Sequence, residues 1–362
     1  VEEKFEEEKV ALMRSFLPAC LAIVLLASSA PLPAEPLRLQ LPTANDALLH
    51  EKPEDFYMYV DRNFEGKVTK PWSGGQYGYV RTMLRTSEGV LGIRFHEGID
   101  IQPLERDSSQ NPLDEVKSIA TGVVAYVSST AGNSNYGKYI VVEHNFGDGP
   151  VFSLYAHLSE TSVEAGQRVL GGAKLGKMGF TGAGINRTRA HVHLELALLL
   201  SLRFDHWHHN LYGSRNLHGI HNGMNLAGLD IASLYLALQE NPDLSIPAFL
   251  SREPIYYKVT VARRGPLELV ERYPWLKRGD HSRPSPSWEI SFSASGIPLA
   301  VAPSNRNVSK PLITYVRTTQ SRHEHHTSSR VTGTGRRASL TARGLQHLSL
   351  VTGDFPDSAK PQ

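Results

Sequence analysis

A mainly β protein is the fold class this sequence predicts: an antiparallel β-sheet or β-sandwich core with a helical insertion and a small C-terminal β module. Three observations predict it. Between residues 56 and 200, short β-type runs are separated by glycine turns. After residue 200 one stretch changes to helical spacing, and from residue 255 strand-like runs return. Composition bounds the rest. At about 150 residues per domain, 362 residues suggest two to three domains. Hydrophobic residues make up 40%, too many for a disordered chain, and 38 basic against 36 acidic side chains leave only +2, which removes a strongly basic nucleic-acid binder. The single cysteine, Cys20, excludes an intrachain disulfide and an all-cysteine metal site, so any metal must be held by His and carboxylate.

The first twelve residues are acidic and begin with Val. Met13 then opens a secretory layout: Arg14, an apolar run over 16–27, and small residues over 28–34. That run is shorter than the roughly twenty residues a spanning helix needs. Residues 1–34 therefore read as a signal-peptide region with its biological start at Met13, removed on export to the periplasm, the cell wall or the exterior. Cys20 falls in the removed segment, and no stable membrane span is expected after cleavage. Residues 35–64 lack clear periodicity and read as an N-terminal arm or linker.

Within the core, assigned to residues 65–200, GVVAYVS (Gly122–Ser128), KYIVVE (138–143) and VFSLYAHL (151–158) are strand-like. The last two are joined by a turn rich in Asn, Asp and Gly. Seven glycines between Gly166 and Gly184 are too dense for a helix. Residues 201–254 form the helical extension, where DIASLYLALQE (230–240) places Ile231, Leu234, Tyr235 and Leu238 on one face behind a capping Asp. Residues 255–362 form the C-terminal β module, with runs IYYKVTVA, WEISFS and PLITYVRT and a basic tail. From Val301 that tail carries nine Lys/Arg against three Asp/Glu, which in an exported protein suits contact with anionic wall polymers or lipid head groups, or a merely solvated surface. Two His-rich stretches, 205–222 and 322–326, read as polar loops, with Trp207 and Tyr212 available to line a groove.

The chemistry sits in three short motifs. In AHVHLEL (190–196), strand alternation puts His191, His193 and Glu195 on one face and Val192, Leu194 and Leu196 on the other. In FHEGIDI (95–101), His96 and Asp100 flank a glycine that lets the chain kink so that both converge. In LYAHLSE (154–160), alternation places Tyr155 and His157 together; Tyr155 is an oxyanion-donor candidate or a packing residue. Two His and one Asp with a water make the open arrangement of catalytic zinc, whereas a structural site is closed by four protein ligands. The other imidazoles are then free to exchange protons or to stabilise charge on a substrate oxygen.

HEGID, YAHLS, the glycine-rich 166–182 stretch and HVHLEL, in that order, resemble the lysostaphin/LytM-type zinc metalloendopeptidases of bacterial cell walls, over roughly residues 70–200. WSGGQYGYVR (72–81) is similar to the first strand of that domain. The resemblance implies one zinc ion per chain on His96, Asp100 and His193, with His157 and His191 catalytic. It implies hydrolysis of peptide bonds in peptidoglycan stem peptides or cross-bridges by a metal-activated water, by a monomer with no nucleic-acid partner. The segment between Thr181 and His191 is longer than the family's usual link, and the region beyond Leu200 lies outside the family domain. The alternative is a non-catalytic relative that binds wall or activates an amidase; such relatives lose metal ligands, and here all five site residues are present.

Overall fold

The computed structural model describes residues 33–355. The expected signal peptide with Met13 and Cys20 lies outside the described residues, except for its last two positions, and so does the end of the basic tail. No helix among the described residues is long and apolar enough to cross a membrane.

β1 (Gly78–Thr86) and β2 (Gly89–His96) form a hairpin. The chain then turns into β3 (Ile99–Ile101), and continues through β4 (Gly122–Ser128), β5 (Lys138–Asn145), β6 (Pro150–Leu158), β7 (Val192–Leu199) and β8 (Leu226–Leu229). β4, β5, β6, β7 and β8 lie side by side in that order, all antiparallel, and a short edge strand, Arg168–Val169, closes the β4 side. β3 pairs with the N-terminal half of β7 and β8 with its C-terminal half.

Burial explains why the central strands read as near-continuous apolar runs rather than a clean alternation. Ile140, Val142, Tyr155, Val192 and Leu194 face one hydrophobic cluster; Tyr139, Val141, Phe152, Leu154 and Ala197 face a second on the other side of the sheet. The β5–β6 turn, with Gly147 and Gly149 at φ 93° and 104°, is the hairpin its composition predicts.

Beyond β7 the chain makes α1 (Phe204–Tyr212) and α2 (Ile231–Glu240), the latter capped as expected by the Asp230 side chain accepting from the Ser233 N–H. α1 corrects the expectation of a polar loop over 205–222. Phe204 and Trp207 are buried along one side of it, Gly213 ends it in a left-handed turn, and Trp207 Nε1–H donates to Gln346 O and Ser349 Oγ at 3.1 Å.

The C-terminal region holds β9 (Tyr257–Ala262), β10 (Ser287–Phe292), β11 (Pro298–Ser304) and β12 (Leu312–Val316) in one antiparallel sheet of order β11-β10-β9-β12. The hairpin β13 (Val331–Thr334) and β14 (Arg337–Leu340) and a final helix, α3 (Ala342–Thr352), complete it. The 322–326 stretch is not a free loop: His323 is fully buried, with Nδ1 beside the Tyr256 hydroxyl and Nε2 beside Gly335 O.

One hydrophobic cluster runs from Tyr155 and Leu196 through Phe204 and Leu234 to Tyr257, Ile290 and Leu348. Polar ties cross it as well. The Tyr273 hydroxyl accepts from the Leu199 N–H and donates to Pro150 O, both at 2.9 Å, joining the end of β7 to the start of β6.

Candidate metal centre and active site

β7 is the keel of the site. His191 stands at its head, and His193 and Glu195 follow on the same face, as strand alternation predicts. All three are at least nine-tenths buried. β3 lies antiparallel beside it with Asp100 directly opposite His193. His96, at the end of β2, reaches the same point because the chain turns sharply at Glu97 and Gly98. Gly98 has a steric reason to be glycine: a Cβ there would stand 2.3 Å from Leu194 O and 2.8 Å from Glu195 Cγ.

Three donor atoms converge. His96 Nε2 is 3.1 Å from Asp100 Oδ1 and 3.1 Å from His193 Nδ1, and His193 Nδ1 is 2.9 Å from Asp100 Oδ1. Donors about 2.0–2.1 Å from a tetrahedral zinc are roughly 3.3 Å apart, so this triangle is already close to one face of such a shell. The second nitrogen of each ring is tied: His96 Nδ1–H donates to Gln76 O at 2.7 Å and His193 Nε2–H to Glu195 Oε1 at 2.9 Å. The Tyr136 hydroxyl donates to the same Glu195 oxygen at 2.6 Å. These outer contacts fix which nitrogen of each ring faces inward, the arrangement metal-binding histidines need. The residues present therefore fit a divalent cation such as zinc.

Two further imidazoles border the triangle. His157 and His191 are 4.8 Å apart between ring centroids, and His157 is 5.9 Å from His193. His157 Nδ1–H donates to Thr181 O at 2.8 Å and His191 Nδ1–H to Arg189 O at 2.6 Å, so Nε2 is the free nitrogen of each. His191 Nε2 is 3.4 Å from Asp100 Oδ1.

His157 arrives by a route that alternation does not give. Lys138 pairs with Leu158 and Ile140 with Tyr155, so Ala156 and His157 both stand opposite the single Tyr139. The extra residue is a β-bulge, and His157 itself has φ 63°. Strict alternation would have sent His157 into the core beside Tyr155; the bulge turns it to the His193 side. Tyr155 stays behind, fully buried, its hydroxyl accepting from the Ile119 N–H at 2.8 Å and from Ser153 Oγ at 2.9 Å. It is a packing residue and no part of the site.

The electrostatics follow from burial against close charge. Burial opposes the charge of Asp100, yet the facing His96 and His191 and the hydrogen bonds from His191 and His193 hold its carboxyl well below the usual carboxylate range. Burial pushes the His96 ring down, and pushes His157 well down with His191 and His193 beside it, so both are neutral near pH 7. For His193 burial also works against the charge, but hydrogen bonds to Asp100 and Glu195 outweigh it and raise the ring to about 9. Without a metal it is an imidazolium between two carboxylates, and the proton on Nδ1 is the one a cation would displace.

Three further participants carry no role in the motif reading, although Arg81 ends the 72–81 segment and Glu97 lies within FHEGIDI; Tyr136 belongs to no motif. Arg81 on β1 donates from Nη2 to Asp100 Oδ2 at 2.5 Å, with His96 Nε2 3.1 Å away, and from Nε to Gly74 O at 2.9 Å. It leaves Asp100 Oδ1 as the oxygen turned to the two histidines. Tyr136 and Glu97 also line the cleft. Both lie in turns, Glu97 between β2 and β3 and Tyr136 just before β5, where strand spacing does not announce them. The cleft has a volume of about 1090 Å³ and includes Gly184, Ile185 and Arg189 from the long 181–191 segment, together with Trp207 and Tyr212.

Residues 94–201 match the family model described as Peptidase family M23. All five site residues fall inside that stretch, and the resemblance to the lysostaphin/LytM-type peptidases read from the motifs is borne out there. Among solved structures, the chain is similar to a peptidase M23 from Pseudomonas aeruginosa at 21% identity, covering 54% of this chain and 54% of that one with a TM-score of 0.26. It is similar to the catalytic domain of the antimicrobial peptidase lysostaphin from Staphylococcus simulans at 22% identity, covering 40% and 83% with a TM-score of 0.24. A zinc containing peptidase from Vibrio cholerae gives 21%, 45%, 35% and 0.23 for the same four measures. The chain spans about half the length of the first of these. No curated protein matches it.

Proposed function

We propose that this chain is an exported, zinc-dependent endopeptidase that hydrolyses peptide bonds in peptidoglycan stem peptides or cross-bridges. One observation carries the reading: three inward-facing donors at 2.9–3.1 Å from one another, bordered by two imidazoles whose outer nitrogens are anchored to backbone carbonyls. His96, Asp100 and His193 would hold the zinc ion, which would supply Lewis-acid polarisation of the scissile carbonyl and lower the pKa of the attacking water.

The protein's own groups do the rest. His157, neutral near pH 7, takes a proton at Nε2 from the attacking water, because Nδ1 is committed to Thr181 O. His191, against Asp100 and with Nδ1 committed to Arg189 O, has Nε2 beside the same point and, when that nitrogen carries a proton, donates to the charge that develops on the carbonyl oxygen. Glu195 and Gln76 O hold the rings of His193 and His96 in place.

The test uses the purified full chain. One zinc per chain by elemental analysis and release of stem-peptide fragments from purified sacculi by mass spectrometry are the expected results. His193→Ala should lose both, and His157→Ala should keep zinc but lose turnover. A wild-type protein that binds wall without zinc or hydrolysis would overturn the reading in favour of a scaffold of the same fold.

A further inference from the structure

The zinc-site cleft is not closed by the M23-type segment alone. Its far wall is built by Gly296, Arg330, Arg343 and His347, all in the C-terminal region. Counting every lining residue, the cleft has five arginines against two acids, and one of those acids, Asp100, is taken up by Arg81 and the histidines. Arg94 on β2, Arg330 before β13 and Arg343 in the first turn of α3 make no ion pair among the described residues. Glu97 is the remaining acid of the cleft, and it feels Arg330 from the opposite wall.

Arg330 and the backbone that carries Arg343 are held in place. The Arg330 guanidinium packs on Gly296, where a Cβ would come within 3.0 Å of its Nε and 3.1 Å of its Cζ. α3 starts against the same residue: the Thr341 N–H donates to Arg330 O at 3.0 Å, and a Cβ on Gly344 would stand 2.1 Å from that oxygen. Glycine at 344 is what allows Arg343 to be carried this close to Arg330. His347 Nε2–H donates to Gly296 O at 2.9 Å, and its ring is pushed down to about 3 by burial and by the adjacent Arg330 and Arg343. Two guanidiniums thus flank a neutral ring. Arg343 also places a cation at a helix N-terminus, the end that favours an anion. Such a cationic wall along a cleft is suited to a carboxylate, which guanidinium groups bind in a fork.

We propose that Arg330 and Arg343, with Arg94 lining the same cleft, form a carboxylate-binding subsite, so that the C-terminal region selects peptides carrying a free carboxylate near the scissile bond. This rests on the peptidase reading for the identity of the ligand as a substrate peptide. The carboxylate belongs either to the peptide's C-terminus or to an acidic side chain.

The experiment uses the full chain as its zinc-loaded His157→Ala form, and synthetic fluorescent stem peptides as free acids, as C-terminal amides or as side-chain amides. Fluorescence anisotropy should show the free acid binding roughly tenfold tighter than one of the two amides, as expected for a charge-assisted pair in a partly enclosed site. The amide that loses affinity identifies the source. Added Arg343→Gln, at an exposed position, should bring acid and amide within about twofold of each other, as should Arg330→Gln. Equal binding of acid and both amides, no binding of any of them, or discrimination retained in both arginine variants overturns the proposal. Sacculus hydrolysis by the wild-type chain is scored separately. Hydrolysis without discrimination sinks the subsite alone, and discrimination without hydrolysis sinks the peptidase reading alone.

Discussion

Replacing Gly98 by Ala tests whether the metal centre depends on how closely the β2–β3 turn approaches β7. The added Cβ would stand 2.3 Å from Leu194 O and 2.8 Å from Glu195 Cγ, where ordinary contact begins near 3.4 Å. Backbone must yield by about an ångström, because the closest neighbour is a strand carbonyl and not the end of a flexible side chain. Overpacking of this kind costs roughly 1–3 kcal/mol of stability. The functional cost is larger, since zinc sites tolerate ligand displacements of only about 0.2 Å. The turn carries His96 and Asp100 on its two sides while His193 stays on β7, so the triangle opens along one edge. Zinc affinity should fall on the order of a hundredfold, at the upper end of what lost support for ligands produces. Competition against a fluorescent chelator measures it, with denaturation to track the fold. Gly132→Ala is the control, because nothing lies within 4 Å of its Cβ position. A Gly98→Ala protein that binds zinc within threefold of the wild type would refute the reasoning.

Glu195→Gln keeps an acceptor for His193 but removes the charge, and zinc affinity should drop roughly 10–100-fold by the same competition assay. An unchanged affinity would mean that the Tyr136–Glu195–His193 chain is only packing. Tyr155→Phe leaves the buried Ile119 N–H without its acceptor, so denaturant titration should show a loss of roughly 1–3 kcal/mol, with zinc content and turnover unaltered. Loss of turnover at unchanged stability would return Tyr155 to the chemistry. His144 is fully buried, its ring pushed down to about 4 by burial, with Nδ1–H donating to Thr121 O. Its ordinary value is about 6.5, so the unfolded chain binds more protons between pH 6.5 and 4. The stability this group contributes is complete above that window and is lost as pH falls through it, by up to about 3 kcal/mol. Urea titrations at pH 8, 6 and 4.5 should show that decline, and His144→Gln should flatten it; an equal decline in the variant would exclude His144 as the cause.

What the sequence disclosed follows from how local each feature is. The His191, His193 and Glu195 face was legible because strand period is a property of adjacent residues. The α2 cap and the β5–β6 turn were legible for the same reason. His157 was placed at the site by motif and resemblance, while the alternation invoked for it pointed elsewhere. Its position depends on a bulge set by pairing with Tyr139, and no residue of YAHLS records that partner. Alternation puts Glu195 on the His193 face, and burial of β7 on both faces turns its carboxylate to His193 rather than to solvent. The helix Phe204–Tyr212 was hidden by its own composition: five polar or His residues in nine mask two apolar anchors, and only the docking of Trp207 onto Gln346 and Ser349 makes that face an inside. Arg81 is found through the pairing of β1 with β2, which brings it within reach of both His96 and Asp100.

The hydroxyl of Tyr273, wedged between the start of β6 and the end of β7, has a practical corollary for protein engineering. Trimming a gene to the borders of the conventional peptidase segment would strip Leu199 of an acceptor and lay bare the apolar flank on which the second sheet rests. The segment that carries the five site residues is therefore no portable cassette, and chimeras should transplant it together with the C-terminal region.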